Sequence, residues 1–145
     1  MLIVMSRQLY TELLAYCASR KPEEACGFIQ GTYDARQRQY AASAFVPIHN
    51  AAADPRRRFL LDPAAALPYL LDPDRHRVIG LFHSHPDEPA APSRADADTL
   101  WTSMPTYWIV SLAAGGPPTL RTFRIKKTIP ATFRKLPFAV RLSDG

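Results

Sequence analysis

The chain has 145 residues, 47% of them apolar, with 18 basic against 13 acidic side chains and a formal net charge of +5. That length predicts one domain over 1–145, and that apolar share is enough for a packed core and excludes a disordered chain. No apolar run reaches the ~20 residues of a membrane span. The opening MLIVMSRQLY lacks the basic lead and long apolar stretch of an export signal, so a cytoplasmic protein with no membrane partner is expected.

Leu2 to Met5 reads as a short strand. Ser6 can cap a helix to about Arg20, with Leu9, Leu13, Leu14 and Cys17 on one stripe, and Lys21-Pro22 ends it. Ala25 to Gln30 reads as a strand in which Gly27 permits close backbone approach. Gly31 to Gln37 reads as a hairpin turn, and Gln39 to Ile48 as the returning strand. A polar loop spans His49 to Arg58. Asp62-Pro63 is a cap followed by proline at the first helical position, opening a helix to about Leu71 that has to tolerate Pro68. Arg77 to His85 has the pattern of a buried strand, and Ser93 opens a third helix to about Ser103. Tyr107–Leu112 and Thr119–Ile125 pair through a Gly-Gly-Pro-Pro turn, and a last strand lies near Pro137 to Leu142. The fold class predicted is α+β: one sheet, mostly antiparallel, with about three helices packed on it.

The positive charges are scattered, with clusters at Arg56–Arg58 and from Arg121 to Lys135, so charge alone does not indicate nucleic acid. Cys17 and Cys26 lack CxxC spacing and occupy apolar positions, which predicts two buried thiols. Trp101, Tyr107 and Trp108 are assigned to the core, and His49 and His76 are read as non-ligands.

The stretch HSHPDEPAAPSRAD carries the most chemistry. Residues two apart on a strand share a face, so His83 and His85 point the same way and can reach one ion at ~2.0–2.1 Å. Asp96 can supply a third ligand from the first turn of the next helix, where a carboxylate is favoured. Ser93 and Asp96 also fit a helix-capping arrangement, a role compatible with binding. By composition the pattern H-x-H-x7-S-x2-D arises in roughly three of ten thousand such chains, so coincidence is the weaker account. Three protein ligands leave one position open for water, as catalytic zinc requires, and the upstream Glu24 in KPEEACG can shuttle its proton.

HSHPDEPAAPSRAD resembles the motif of the JAMM metalloproteases, the catalytically competent MPN domains: a distant Glu, then His-x-His, seven residues, Ser, two residues, Asp. PEEACGFIQG resembles their upstream element and selects Glu24 over Glu23. PRRRFLLDP, VIGLFHSHP and YWIVSL follow in the family's order, so the resemblance covers about 2–125, with 126–145 left as a strand and tail. It implies an MPN fold of the cytidine-deaminase-like kind and one Zn2+ per chain held by His83, His85 and Asp96. It also implies Glu24 as general base and Ser93 as a donor to the tetrahedral intermediate.

The resemblance further implies hydrolysis of a peptide or isopeptide bond after the C-terminal Gly-Gly of a ubiquitin-like or sulfur-carrier protein, one such activity releasing cysteine. The tail is expected to pair with an exposed strand edge. Asn50 and the loop arginines Arg56, Arg57 and Arg58 are candidates for substrate contact, the arginines facing acidic groups on a carrier. Three other readings stand beside this one: a zinc-binding scaffold without catalysis, a nucleic-acid-associated domain like that of the RadC group, and a phage-tail or cell-wall peptidase. Glu24 and Ser93 argue against the first, the EACG and HSHP forms against the second.

Overall fold

The computed structural model describes residues 2–74, 77–91, 104–113, 115–126, 132–134 and 139–144. In chain order these form β1 (Leu2–Ser6), α1 (Arg7–Arg20), β2 (Cys26–Asp34), β3 (Gln39–Ile48), α2 (Pro63–Leu71), β4 (Val78–His85), β5 (Thr106–Ser111), β6 (Thr119–Lys126), β7 (Thr132–Arg134) and β8 (Ala139–Ser143). The strands make one mixed sheet in the order β7-β6-β5-β4-β2-β3-β1-β8, seven longer strands with the three-residue β7 added at one edge. Pairing is antiparallel at β2–β3, β2–β4, β5–β6 and β6–β7, and parallel at β1–β3, β1–β8 and β4–β5. This is the expected α+β fold of the MPN kind. The third expected helix, from Ser93, lies outside the described residues. Among the described residues no helix is long and apolar enough to cross a membrane.

Both helices start where their caps predict. The Ser6 hydroxyl accepts from the Leu9 amide at 3.0 Å, and the Asp62 carboxylate accepts from the Ala64 amide at 3.2 Å with Pro63 at the first turn. α1 buries Leu9, Leu13 and Cys17 against one face of the sheet, with Ile3, Met5, Phe82, Trp108 and Val110. α2 packs Ala66, with Tyr69 and Leu70, on the other face beside Phe28, Leu61, Leu81, Ile109 and Phe123.

β4 lies between these two cores and is buried along its whole length. Its register with β2 slips at Ile29/Gln30, where Ile29 pairs Gly80 and Gln30 pairs Val78. Ile79 is the extra residue, a β-bulge. The consequence is visible in the packing: Val78 and Leu81 belong to the α2-side core, Ile79 and Phe82 to the α1-side core. The bulge thus sets which face the end of the strand presents. Fully burying Phe82 and Trp108 contributes about 2–3 kcal/mol each, which fixes that setting. Gly27 is required where β2 meets both β3 and Phe82, since a Cβ there would run into the Val46 carbonyl and the Phe82 ring.

The β2–β3 hairpin departs from expectation. β2 continues through Gly31 to Asp34, and the turn is made by residues 35–38. The Asp34 carboxylate accepts from the Arg36 and Gln37 amides at 2.9 and 3.2 Å, and Arg38 takes a φ of 51°. Gly31 serves a close approach to the Ala41 carbonyl and not a turn.

The loop after β3 is held from its own first residue. The Asn50 side-chain amide donates to the carbonyls of Arg58 (2.9 Å), Glu24 (3.0 Å) and Pro55 (3.3 Å). With two hydrogens for three acceptors, the longest of these is the shared one. Its oxygen accepts from the amides of Ala52 (3.0 Å) and Leu60 (3.1 Å). The Pro55 carbonyl also accepts from the Glu24 amide at 2.7 Å, so the loop is stitched to the segment preceding β2.

Two outcomes follow from this packing. Asn50→Ala should cost about 2 kcal/mol in urea unfolding and open 51–58 to proteolysis; unchanged stability and resistance would contradict the clamp. The second concerns alkaline pH. Burial pushes the Cys17 thiol from its ordinary 9.0 up to about 12, with Cys26 adding to the rise. Burial also pushes Tyr107 from 10.0 up to about 12, partly offset by its hydrogen bond to the Met104 backbone. Both groups keep their protons longer folded than unfolded, so stability is full below about pH 9 and falls as pH climbs toward 12. The urea midpoint should drop between pH 8.5 and 10.5, and both buried thiols should resist alkylation at pH 8 until the protein unfolds; a flat midpoint, or fast native-state alkylation, would contradict it.

Candidate metal centre

With the bulge behind them, Phe82 and Ser84 face α1, while Leu81, His83 and His85 face α2. His83 and His85 are 3% and 4% exposed, and their Nε2 atoms stand 3.2 Å apart. Two ligands of one tetrahedral zinc, each at ~2.0–2.1 Å, lie ~3.3 Å from one another. The imidazole pair therefore already has the spacing of two corners of such a site. Each ring is held from outside. Phe59 stacks on His83 with centroids 4.4 Å apart and planes at 20°. The Nδ1 of His85 lies 2.8 Å from the Pro89 carbonyl, which can only accept. Nδ1 therefore carries the proton and Nε2 keeps its lone pair for a ligand, the outer-shell arrangement common to metal-bound histidine.

Glu24 joins them from the segment between α1 and β2. It is 6% exposed, and one carboxylate oxygen lies within 4.8 Å of the two histidine ligand atoms. Its main chain is fixed on three sides. The Glu24 amide donates to Pro55, and its carbonyl accepts from Asn50. The next residue, Ala25, is tied to β4 twice: its amide donates to the fully buried Ser84 hydroxyl at 2.8 Å, and its carbonyl accepts from the Ser84 amide at 2.9 Å. Among the described residues Glu24, His83 and His85 form a group able to hold a metal ion. A reach of up to 4.8 Å suits either direct coordination by Glu24 or a hydrogen bond through one water.

A cleft of about 340 Å3 opens at this group, lined by Glu24, Arg56, Arg57, His85, Pro86, Asp87 and Glu88. A second recess of about 200 Å3, with Tyr16, Arg20, Glu23, His49 and Asn50 in its wall, reaches Glu24 from the α1 side. The loop after β4 is pinned at Glu88, whose carbonyl accepts from the Ser111 hydroxyl at 2.6 Å.

Of the residues singled out from the sequence, Glu24, His83 and His85 come together, and Arg56 and Arg57 line their cleft. Arg58 does not line it; its carbonyl serves the Asn50 clamp. Asn50 spends its side chain on backbone groups. Ser93, Asp96, His76 and Trp101 lie outside the described residues. His49 is exposed, while Tyr107 and Trp108 are buried in the core. Cys26 is buried and its thiol lies 3.4 Å from the Ile48 carbonyl, a packing role. β2 and β4 are both interior strands, so over their paired residues neither offers an incoming tail the open edge expected. Ser84, Phe59 and the Pro89 carbonyl had no signal in the sequence, because each acts by position: one on the far face of the strand, one from a distant loop, one through its backbone.

Comparison with known proteins agrees with this geometry. The family described as prokaryotic homologs of the JAB domain matches residues 6–126. Desampylase of Haloferax volcanii is 34% identical over 92 residues, 62% of this chain and 62% of its own length. Tail tip assembly protein K of Escherichia phage N15 is 26% identical over 126 residues, 87% of this chain and 46% of its own length. The chain thus spans less than two thirds of either curated relative. Among solved structures, a protein of Desulfitobacterium hafniense superposes with a TM-score of 0.77 at 28% identity, covering 99% of this chain and 95% of its own. A protein of Salinibacter ruber gives 0.63 at 28% identity, covering 94% and 90%. The match over residues 6–126, on a fold that brings a Glu-His-His group together, shows that the chain belongs to the prokaryotic JAB (JAMM) domain family.

Proposed function

We propose that the protein is a zinc-dependent peptidase that hydrolyses the bond after the C-terminal Gly-Gly of a small ubiquitin-like or sulfur-carrier protein. The observation that carries this is the pair of imidazole nitrogens 3.2 Å apart with a buried carboxylate within 4.8 Å. His83 and His85, with Asp96, are the residues that would hold the ion. When bound, zinc polarises the scissile carbonyl as a Lewis acid and brings the pKa of a water to about 7.

The chain's own groups do the rest. Glu24 takes the proton from the attacking water and returns it to the leaving amine; a carboxylate fixed by its backbone on three sides is suited to both transfers. The Ser93 hydroxyl donates to the oxygen of the tetrahedral intermediate. The likeness to desampylase supports a small ubiquitin-like protein as substrate. A purely structural zinc site has no use for a buried carboxylate beside an open cleft.

Purified protein should contain about one zinc per chain by elemental analysis and cleave a Gly-Gly fusion, with chelation abolishing and zinc restoring the activity. Glu24→Ala should keep the zinc and lower kcat by about 10^2–10^4, whereas His83→Ala should lose both. Loss of zinc from Glu24→Ala would make Glu24 a ligand, and full activity without zinc would refute the reading.

A further inference from the structure

The Phe59 ring lies nearly parallel to the His83 imidazole, and the chain on either side of Phe59 sets it there. The Asn50 side chain donates to the carbonyl of Arg58 at 2.9 Å and accepts from the amide of Leu60 at 3.1 Å. These are the two residues that flank Phe59. The base of the loop is closed beneath them: the Ala51 amide donates to the Leu60 carbonyl at 2.8 Å, the Asp62 amide donates to the His49 carbonyl at 3.0 Å, and Asn50 pairs with Leu61. Phe59 also packs against the α2-side core. The contacts therefore run from Asn50 to the main chain around Phe59, and from the Phe59 ring to His83.

A stacked ring can act on a metal ligand in two ways. The first is orientation. The χ2 torsion of histidine is broad and roughly two-fold, and a ring pressed on one face narrows it. The Nε2 atom of His83 then stays beside that of His85, and less freedom is lost when an ion arrives. The second is electrostatic. The face of a phenyl ring is negative. An imidazole that gives its lone pair to a dication becomes electron-poor, so the stack is stronger on the metal-bound ring than on the free one. Only a contact that differs between two states shifts the equilibrium between them. This contact differs in the direction that favours the ion.

Resting on the zinc-dependent reading above, we propose that Phe59 is a positioning residue for the ligand His83, raising the affinity of the site for zinc, and that Asn50 acts on that affinity through Phe59. Asn50 thereby serves the site from the backbone of the loop. It also holds the Glu24 carbonyl at 3.0 Å, so a second route from Asn50 to the site exists, and a double substitution separates the two.

Zinc affinity tests this apart from turnover. The metal-free full chain is titrated with zinc against a coloured chelator. Phe59→Leu, which keeps an apolar side chain and loses the ring, should bind zinc about tenfold more weakly. Phe59→Tyr should keep the original affinity. Tyr69→Leu removes a ring from the same core where it packs on Phe28, and should leave the affinity unchanged. Asn50→Ala should weaken binding by itself and add little to Phe59→Leu. In the zinc-loaded protein with isotope-labelled histidine, the His83 ring protons should lie upfield in the ring current of Phe59 and move downfield in Phe59→Leu. Equal affinity of Phe59→Leu and the unsubstituted protein, a loss that Phe59→Tyr shares, or full additivity of the Asn50 and Phe59 substitutions overturns the proposal. Failure of the unsubstituted protein to bind zinc overturns it together with the hydrolase reading. A zinc affinity that falls with the loss of the ring, in a protein that cleaves no Gly-Gly fusion, supports the proposal and counts against the hydrolase reading alone.

Discussion

The Nε2 atoms of His83 and His85 stand 3.2 Å apart at the end of a strand buried on both faces, and the chemistry of the site depends on that approach. Burying polar groups is costly unless they are satisfied. The Pro89 carbonyl fixes the proton of His85 on the outer nitrogen, which turns its inner lone pair toward its neighbour. A proton or a cation between the two rings resolves the arrangement. The separation equals, within about 0.1 Å, the edge of a tetrahedral zinc site, so one metal ion can reach both nitrogens.

The position of Glu24 is the second constraint, and the protein meets it with main-chain bonds. Ser84 lies between the two histidines in sequence and points to the other core, where its hydroxyl and amide bind Ala25. The strand that aims the imidazoles therefore also places the residue after the carboxylate. The loop after β3 completes the placement through Pro55 and Asn50. The same loop presents Arg56 and Arg57 to the cleft that Glu24 also lines. The arginines of the loop are exposed, while its backbone is held from within by the Asn50 side chain.

Much of this was legible in the sequence. Caps at Ser6 and Asp62-Pro63 located both described helices, because a side-chain oxygen near orphan amides is a local signal. The His-x-His spacing located one face of a strand, since alternation depends only on neighbours. The bulge at Ile79 was not legible: it is created by pairing with β2, a partner some fifty residues away, and it decides which core each side of β4 enters. Gly31 was read as a turn because glycine permits one, whereas the structure uses its missing side chain for a close strand contact. Asn50 is a candidate for substrate contact in the sequence, where nothing local shows that five backbone groups converge on it. Residue types told which chemistry was available, and long-range pairing decided which groups meet.

Membership of the prokaryotic JAB family and the Glu-His-His group point to a metal-dependent hydrolase, and the claim on which the mechanism stands is that the two imidazoles bind one zinc ion. X-ray absorption at the zinc edge of the zinc-loaded protein tests it most directly. A four-coordinate site with two imidazole nitrogens at ~2.0–2.1 Å and oxygen in the remaining positions is the expected result, reduced to surface-bound metal in His83→Ala. A spectrum without imidazole scattering, or one unchanged by that substitution, would contradict the account.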